Sequence, residues 1–179
     1  MYKLLFVLLT SPTFLFAKCP EVPARSDQHI SLMKQIASAP DEMTAADLSN
    51  QLWEIWTMAP DDIAQEILLR GMQKRASYDF IGAIEDFTTL VAYCPNYAEG
   101  YNQRAFVYFL SEDYEAALAD LDSTIAIVPD HIGAIAGRAL TLFGMNRDKE
   151  GQLTLRAALA LNPWLSERHL LKPLEDDET

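Results

Sequence analysis

Three histidines, two cysteines and 26 acidic side chains are what this 179-residue sequence offers to acid–base, nucleophilic or metal chemistry. His29, His131 and His169 lie far apart and carry no ligand spacing. His-Glu-x-x-His, Cys-x-x-Cys and Gly-x-Gly-x-x-Gly strings are absent. The acidic pairs Asp61-Asp62 and Asp176-Asp177 are adjacent, so their carboxylates diverge on a helix or trail in a tail. Cys19 and Cys94 are candidates for a disulfide. An even count invites a bridge in an oxidising compartment, but two cysteines are not a framework. The expectation is a chain with no catalytic residues, no cofactor and no metal.

The N-terminus sets the compartment. Lys3 supplies a positive charge, Leu4 to Leu9 is an unbroken apolar run, and Phe14-Leu15-Phe16-Ala17 closes it on a small residue. No acidic residue precedes Glu21. Residues 1–17 therefore read as a secretory signal peptide, too short and too interrupted by Ser11 and Pro12 to span a bilayer. Residues 18–26 read as a linker, and no integral membrane segment is expected after signal removal. The expected location is periplasmic or secreted. Lys+Arg 14 against Asp+Glu 26 gives a net charge of −12, which repels phosphate backbones and anionic lipid, so no nucleic-acid partner is expected. The cluster Glu175, Asp176, Asp177 and Glu178 reads as a solvated tail.

Periodicity decides the fold. Pro95, Pro129 and Pro163 recur every 34 residues and bring segments 64–97, 98–131 and 132–165 into register. Each proline follows an apolar helical run and ends it. In the middle segment Tyr101, Arg104-Ala105 and Tyr108 recur at helical spacing, Asp113-Tyr114 marks a turn, and Ala117 and Leu121 lead to Pro129. Ile67, Gly71, Asp79-Phe80, Ala83 and Phe87 repeat the pattern before Pro95, and Ile135, Ala139, Leu142, Gly151 and Leu155 repeat it before Pro163. Packed antiparallel helices need a small residue where they cross; Gly71, Ala105 and Ala139 fill that place on first helices, and Ala83, Ala117 and Gly151 on second ones. Residues 27–60 read as a degenerate further hairpin that stacks with altered geometry. Its runs are His29–Ser38 and Ala45–Met58, a capping-box variant is formed by Thr44 and Asp47, and Trp53 and Trp56 are assigned to the core. In residues 166–179, Ser166 is expected to cap a short closing helix ahead of the acidic tail.

This pattern of a large aromatic, a small residue, an aromatic, then an alanine, a bulky residue and a proline resembles the tetratricopeptide repeat (TPR). Residues 61–165 would then hold three repeats in an all-α solenoid of stacked antiparallel hairpins. Lys74 departs from the pattern where an aromatic is usual, and Arg147-Asp148 replaces the Asp-aromatic turn in the third copy. The resemblance implies that first helices line a concave groove, with Leu68, Met72, Asn102, Phe106, Phe109, Ala136, Leu140 and Phe143 facing it. It also implies a protein partner. Some relatives clamp a peptide's terminal carboxylate with lysines, asparagines and an arginine; Leu68, Met72, Gln103, Gly133 and Gly137 stand at those places here. The clamp is absent, and the apolar groove suits an amphipathic helix or an extended apolar segment. Two further readings stay open: a carrier of a small apolar ligand or lipid using the same groove, and a groove filled by the chain's own ends. Arg70, Arg104 and Arg138, also 34 apart, are expected to pair with acidic residues of neighbouring helices.

Overall fold

The structure is a computed structural model and describes residues 18–21 and 26–173. Residues 1–17, expected to be a signal peptide, the middle of the expected linker and the acidic tail lie outside the described residues. Among the described residues there are eight α-helices, one 3-10 helix and no strand. The helices are α1 (Asp27–Ala37), α2 (Glu42–Trp56), α3 (Asp62–Ala76), α4 (Phe80–Tyr93), α5 (Ala98–Leu110), α6 (Tyr114–Ile127), α7 (Ile132–Gly144) and α8 (Asp148–Leu161).

From α3 to α8 the chain is a stack of three hairpins. Cys94, Val128 and Asn162 end the second helices, and the 34-spaced prolines follow them directly. Within each hairpin the turn passes through one left-handed residue: Tyr78 (φ 63°), Glu112 (φ 60°) and Asn146 (φ 58°). The next amide reaches back across the turn in every copy, Asp79 to Lys74, Asp113 to Tyr108 and Arg147 to Leu142. Asp79 and Asp113 then cap the second helices by accepting from the amides of Gly82 and Ala116. Arg147 provides no such cap and instead forks onto Glu150.

The crossing residues are as small as the packing demands. A Cβ on Gly71 would sit 2.6 Å from the Phe87 ring, and one on Gly151 would sit 2.4 Å from the Phe143 ring. Ala83, Ala105, Ala117 and Ala139 are sealed. Arg70 grips Asp86, and Arg104 grips Asp120, each 16 residues ahead. In the third copy Thr154 replaces that aspartate, and Arg138 turns partly back to Asp122 of α6.

The N-terminal hairpin departs from the expected stack. Leu32, Met33, Ile36 and Leu52 form a core with Ile132, against which Leu161 and Leu165 pack, so α1 and α2 dock on the last repeat rather than extending the first. Trp164 donates its indole N–H to the Ala39 carbonyl, Asn162 donates to Ser49, and Arg168 pairs with Glu42. The physical cause is matched apolar surface: the α1 stripe meets the end of α8. Helix α2 also begins earlier than the Thr44 cap expected, because Asp41 accepts from the Thr44 amide at 2.8 Å. The closing element is a 3-10 turn, Ser166–Leu170, with Leu165 at its start and the Ser166 hydroxyl turned to Glu167.

Candidate functional site

The inner face is built from α5 and α7, with the end of α3 on one side. Helix α2 and the Leu165–Glu167 segment cover part of it. What remains open is a cavity of about 320 Å³ lined by Trp53, Arg75, Asn102, Gln103, Phe106, Phe109, Ala136, Leu140, Leu165 and Glu167 among others. Phe106 is 46% exposed and Trp53 is 37% exposed, so large apolar surface faces the opening. The two tryptophans assigned to the core are thus split. Trp56 is half-buried, and Trp53 stands at the cavity.

Asn102, Phe106, Phe109, Ala136 and Leu140 come together at this cavity. Three of the expected groove residues do not join them. Leu68 is 0% exposed, inside the core of Ala64, Phe87 and Leu90, because it meets the partner helix of its own hairpin. Met72 packs on the same core. Phe143 covers the bare backbone of Gly151 on α8, the glycine drawing the ring into the hairpin.

Beneath the cavity lies a polar chain that sequence spacing did not reveal. Glu99 and His131 are each 1% exposed. Asn102 and Gln103 donate side-chain amides to the Glu99 carboxylate. His131 Nδ1 accepts from the Ala134 amide at 3.1 Å, so the ring carries its proton on Nε2 and donates it to Glu99 at 3.0 Å. Arg75 donates to Gln103, placing a positive charge two contacts from the buried carboxylate. Its guanidinium lies 4.9 Å from the Phe106 ring centroid. Burial draws the Arg75 pKa below its ordinary value, and the Glu99 charge acts against that shift. The sequence signal was present only as Glu99, Asn102 and Gln103 on adjacent turns of one helix, where Asn102 was assigned to the groove, Gln103 to the place of a missing clamp residue and Glu99 to nothing.

Two of the three histidines flank Trp56. His131 stacks on it at 3.8 Å, and His29 meets it edge-on at 6.0 Å. Tyr97 donates its hydroxyl to the Trp56 carbonyl at 2.7 Å, and burial, with the Glu99 charge second, pushes the Tyr97 pKa up. Those contacts seat α2 at the starts of α5 and α7. Cys19 and Cys94 form a disulfide with Cα atoms 5.2 Å apart, tying the linker to the end of α4. Among the described residues no cluster of His, Cys, Asp and Glu could hold a metal ion, and no helix is long and apolar enough to cross a membrane.

No protein-family model matches the chain. Over 81 residues it is 36% identical to the tetratricopeptide repeat protein 36 homolog of Nematostella vectensis, covering 44% of each chain. Over 127 residues it is 28% identical to a TPR repeat-containing protein of Rhizobium etli, covering 70% of this chain and 60% of that one. The chain thus spans about half the length of the curated relatives it matches. Among solved structures, the Arabidopsis OM64 TPR domain superposes with TM-score 0.59 at 18% identity, over 61% of this chain and 90% of that one. The yeast Sti1 TPR2B domain, solved as a complex with pHsp70, gives 0.56 at 23% identity, over 60% and 88%. MamA gives 0.53 at 18% identity, over 83% and 78%. At those identities the solved structures show a shared fold.

Proposed function

Since the chain is a tetratricopeptide-repeat protein, we propose that it is a protein-interaction adaptor of the cell envelope, seating a short apolar segment of a partner in the cavity between Trp53, Phe106 and Leu140. The observation that carries this reading is the exposed aromatic pair at the cavity mouth, Phe106 and Trp53, on the inner face of a repeat array. The yeast Sti1 domain and the first TPR of Spaghetti (RPAP3), the latter bound to an HSP90 peptide, use this fold to hold peptides, which supports the general role. The size of the cavity limits what it can seat. A helix with its side chains is about 10–12 Å across and does not enter a cavity of about 320 Å³. An extended segment offering one or two large apolar side chains does.

Catalysis forms no part of this reading, because the one His–carboxylate pair beneath the cavity is sealed from solvent. A location in the periplasm or outside the cell is supported by the Lys3–Ala17 layout and by the Cys19–Cys94 bridge. Intact mass of protein recovered from its host tests that location: the first 17 residues or so should be missing, and full-length protein in the cytosol would end it. The net charge of −12 supports a partner other than nucleic acid.

The adaptor reading is tested by two variants on one helix. Phe106→Ser should cost little stability and weaken partner retention by about 1–3 kcal/mol, the range of an aromatic anchor. Tyr101→Ser should do the reverse, since the Tyr101 ring is half-buried beside Arg104. Equal melting losses with unchanged retention would move the binding site elsewhere.

A further inference from the structure

Arg75 is unlike the other arginines among the described residues. Among the described residues, Arg70, Arg104, Arg138, Arg147 and Arg168 each form an ion pair. Arg156 spends its guanidinium on the carbonyls of Gln152 and Lys172. Arg75 alone stands at a cavity, donating once to the Gln103 amide and lying over the Phe106 ring, with no carboxylate in contact. A guanidinium has five N–H donors in a planar fork suited to an oxyanion. Most of that fork is unspent, and the walls beyond it, Phe106, Phe109, Ala136, Leu140 and Leu165, are apolar.

We propose that this cavity binds a small aliphatic monocarboxylate, its headgroup on Arg75 and its chain between Phe106 and Leu140. Size, charge and shape each limit the choice. At roughly 30 Å³ per heavy atom, the density of a liquid, a cavity of about 320 Å³ holds a body of about ten such atoms. The headgroup should carry a single charge. Glu99 lies just beyond Gln103, Glu167 stands on the rim, and the chain as a whole is acidic, so a phosphate dianion meets more repulsion than a carboxylate. A neutral chain of the same length would leave the Arg75 fork desolvated and unmatched, and an ammonium would oppose it. The inference uses the cavity of the adaptor reading but stands without a protein partner.

Octanoate is the matching probe, with 1-octanol, octylammonium and octyl phosphate as its controls. Calorimetric titration of the mature chain, with Trp53 fluorescence as a second readout, should give saturable octanoate binding about tenfold or more tighter than 1-octanol, as a charge-assisted contact requires. Octylammonium should not bind, and octyl phosphate should bind more weakly than octanoate. Arg75→Leu should erase the preference for octanoate over octanol. Because Arg75 also offsets the buried Glu99 charge, Leu140→Trp serves as a second variant; it leaves the polar chain intact, fills the cavity and should abolish octanoate binding. Equal binding of octanoate and octanol, a preference that survives Arg75→Leu, binding unaffected by Leu140→Trp, or no saturable binding would each overturn the proposal. A loss of melting temperature in Arg75→Leu with the preference intact would assign Arg75 to structure alone. Octanoate binding in a chain that retains no protein partner would sink only the adaptor reading; the converse would sink only this one.

Discussion

Asp86 lies between two cations, accepting from Arg70 at 2.8 Å and meeting Lys74 at 2.8 Å. Burial pushes its carboxyl pKa up, but the hydrogen bonds and charges of Arg70 and Lys74 outweigh burial and hold it below the ordinary carboxylate value. A carboxyl with a depressed folded pKa stabilises fully above its unfolded pKa, about 4, and loses that stabilisation as pH falls through the folded value. Asp86→Asn should therefore cost about 1–3 kcal/mol at pH 7, and the gap to the parent should close in melts taken below about pH 4. A second residue works against its own backbone. Glu112 holds φ 60° in an exposed turn, a conformation that glycine adopts freely. Glu112→Gly should raise the urea midpoint, by about 0.5–1 kcal/mol of stability. The acidic partners of Arg70 and Arg104 were expected from the sequence, because a repeated arginine beside a packing residue needs a counter-charge. The Glu99–Gln103–Arg75 chain with His131 was not legible, since its members sit on α3, on α5 and at the cap of α7, and only stacking brings them together.

At the scale of helices, fit decides more than propensity. Gly71 and Gly133 both sit in first helices, yet the space above them differs. A Cβ on Gly71 would press into Phe87 at 2.6 Å, whereas one on Gly133 finds only the His131 ring at 3.6 Å. Gly71→Ala should therefore destabilise by about 1–2 kcal/mol even though alanine is the better helix former. Gly133→Ala should stabilise by about 0.5–1 kcal/mol. Opposite shifts in two thermal melts would check the pair. The six helices of the stack were readable because a 34-residue period constrains them three times over. The seat of α1 and α2 was not readable. Its apolar stripe says that Leu32, Met33 and Ile36 are buried, but only the tertiary structure says that Ile132 and Leu165 bury them. The same limit explains Leu68 and Phe143: helical spacing gives a face, and the angle between helices decides which neighbour that face meets.

Across the whole molecule, two long-range ties govern stability. The Cys19–Cys94 bridge closes a separation of 75 residues, and in the loop-entropy model it contributes about 4 kcal/mol. Cys19→Ser should lower the melting temperature, and reductant should lower the parent's to match. The second tie is the docking of α1 and α2 on the last repeat. Removing residues 132–165 leaves α3–α6 with their mutual contacts but takes away that seat, so hydrogen exchange should show α1 and α2 unprotected while α4 and α5 stay slow. Uniform loss of protection would mean one indivisible core. That second tie also sets a sequence of events in folding. The stack is made of local hairpins, and such contacts form quickly. The bonds joining Ser49 to Asn162, Ala39 to Trp164 and Glu42 to Arg168 span 113 to 126 residues and require both ends of the array to be in place first. In stopped-flow refolding of the oxidised chain, far-ultraviolet circular dichroism should therefore recover ahead of the indole fluorescence of Trp56 and Trp164. At high protein concentration the late step invites a competitor: the α1–α2 hairpin of one molecule closing onto the last repeat of another.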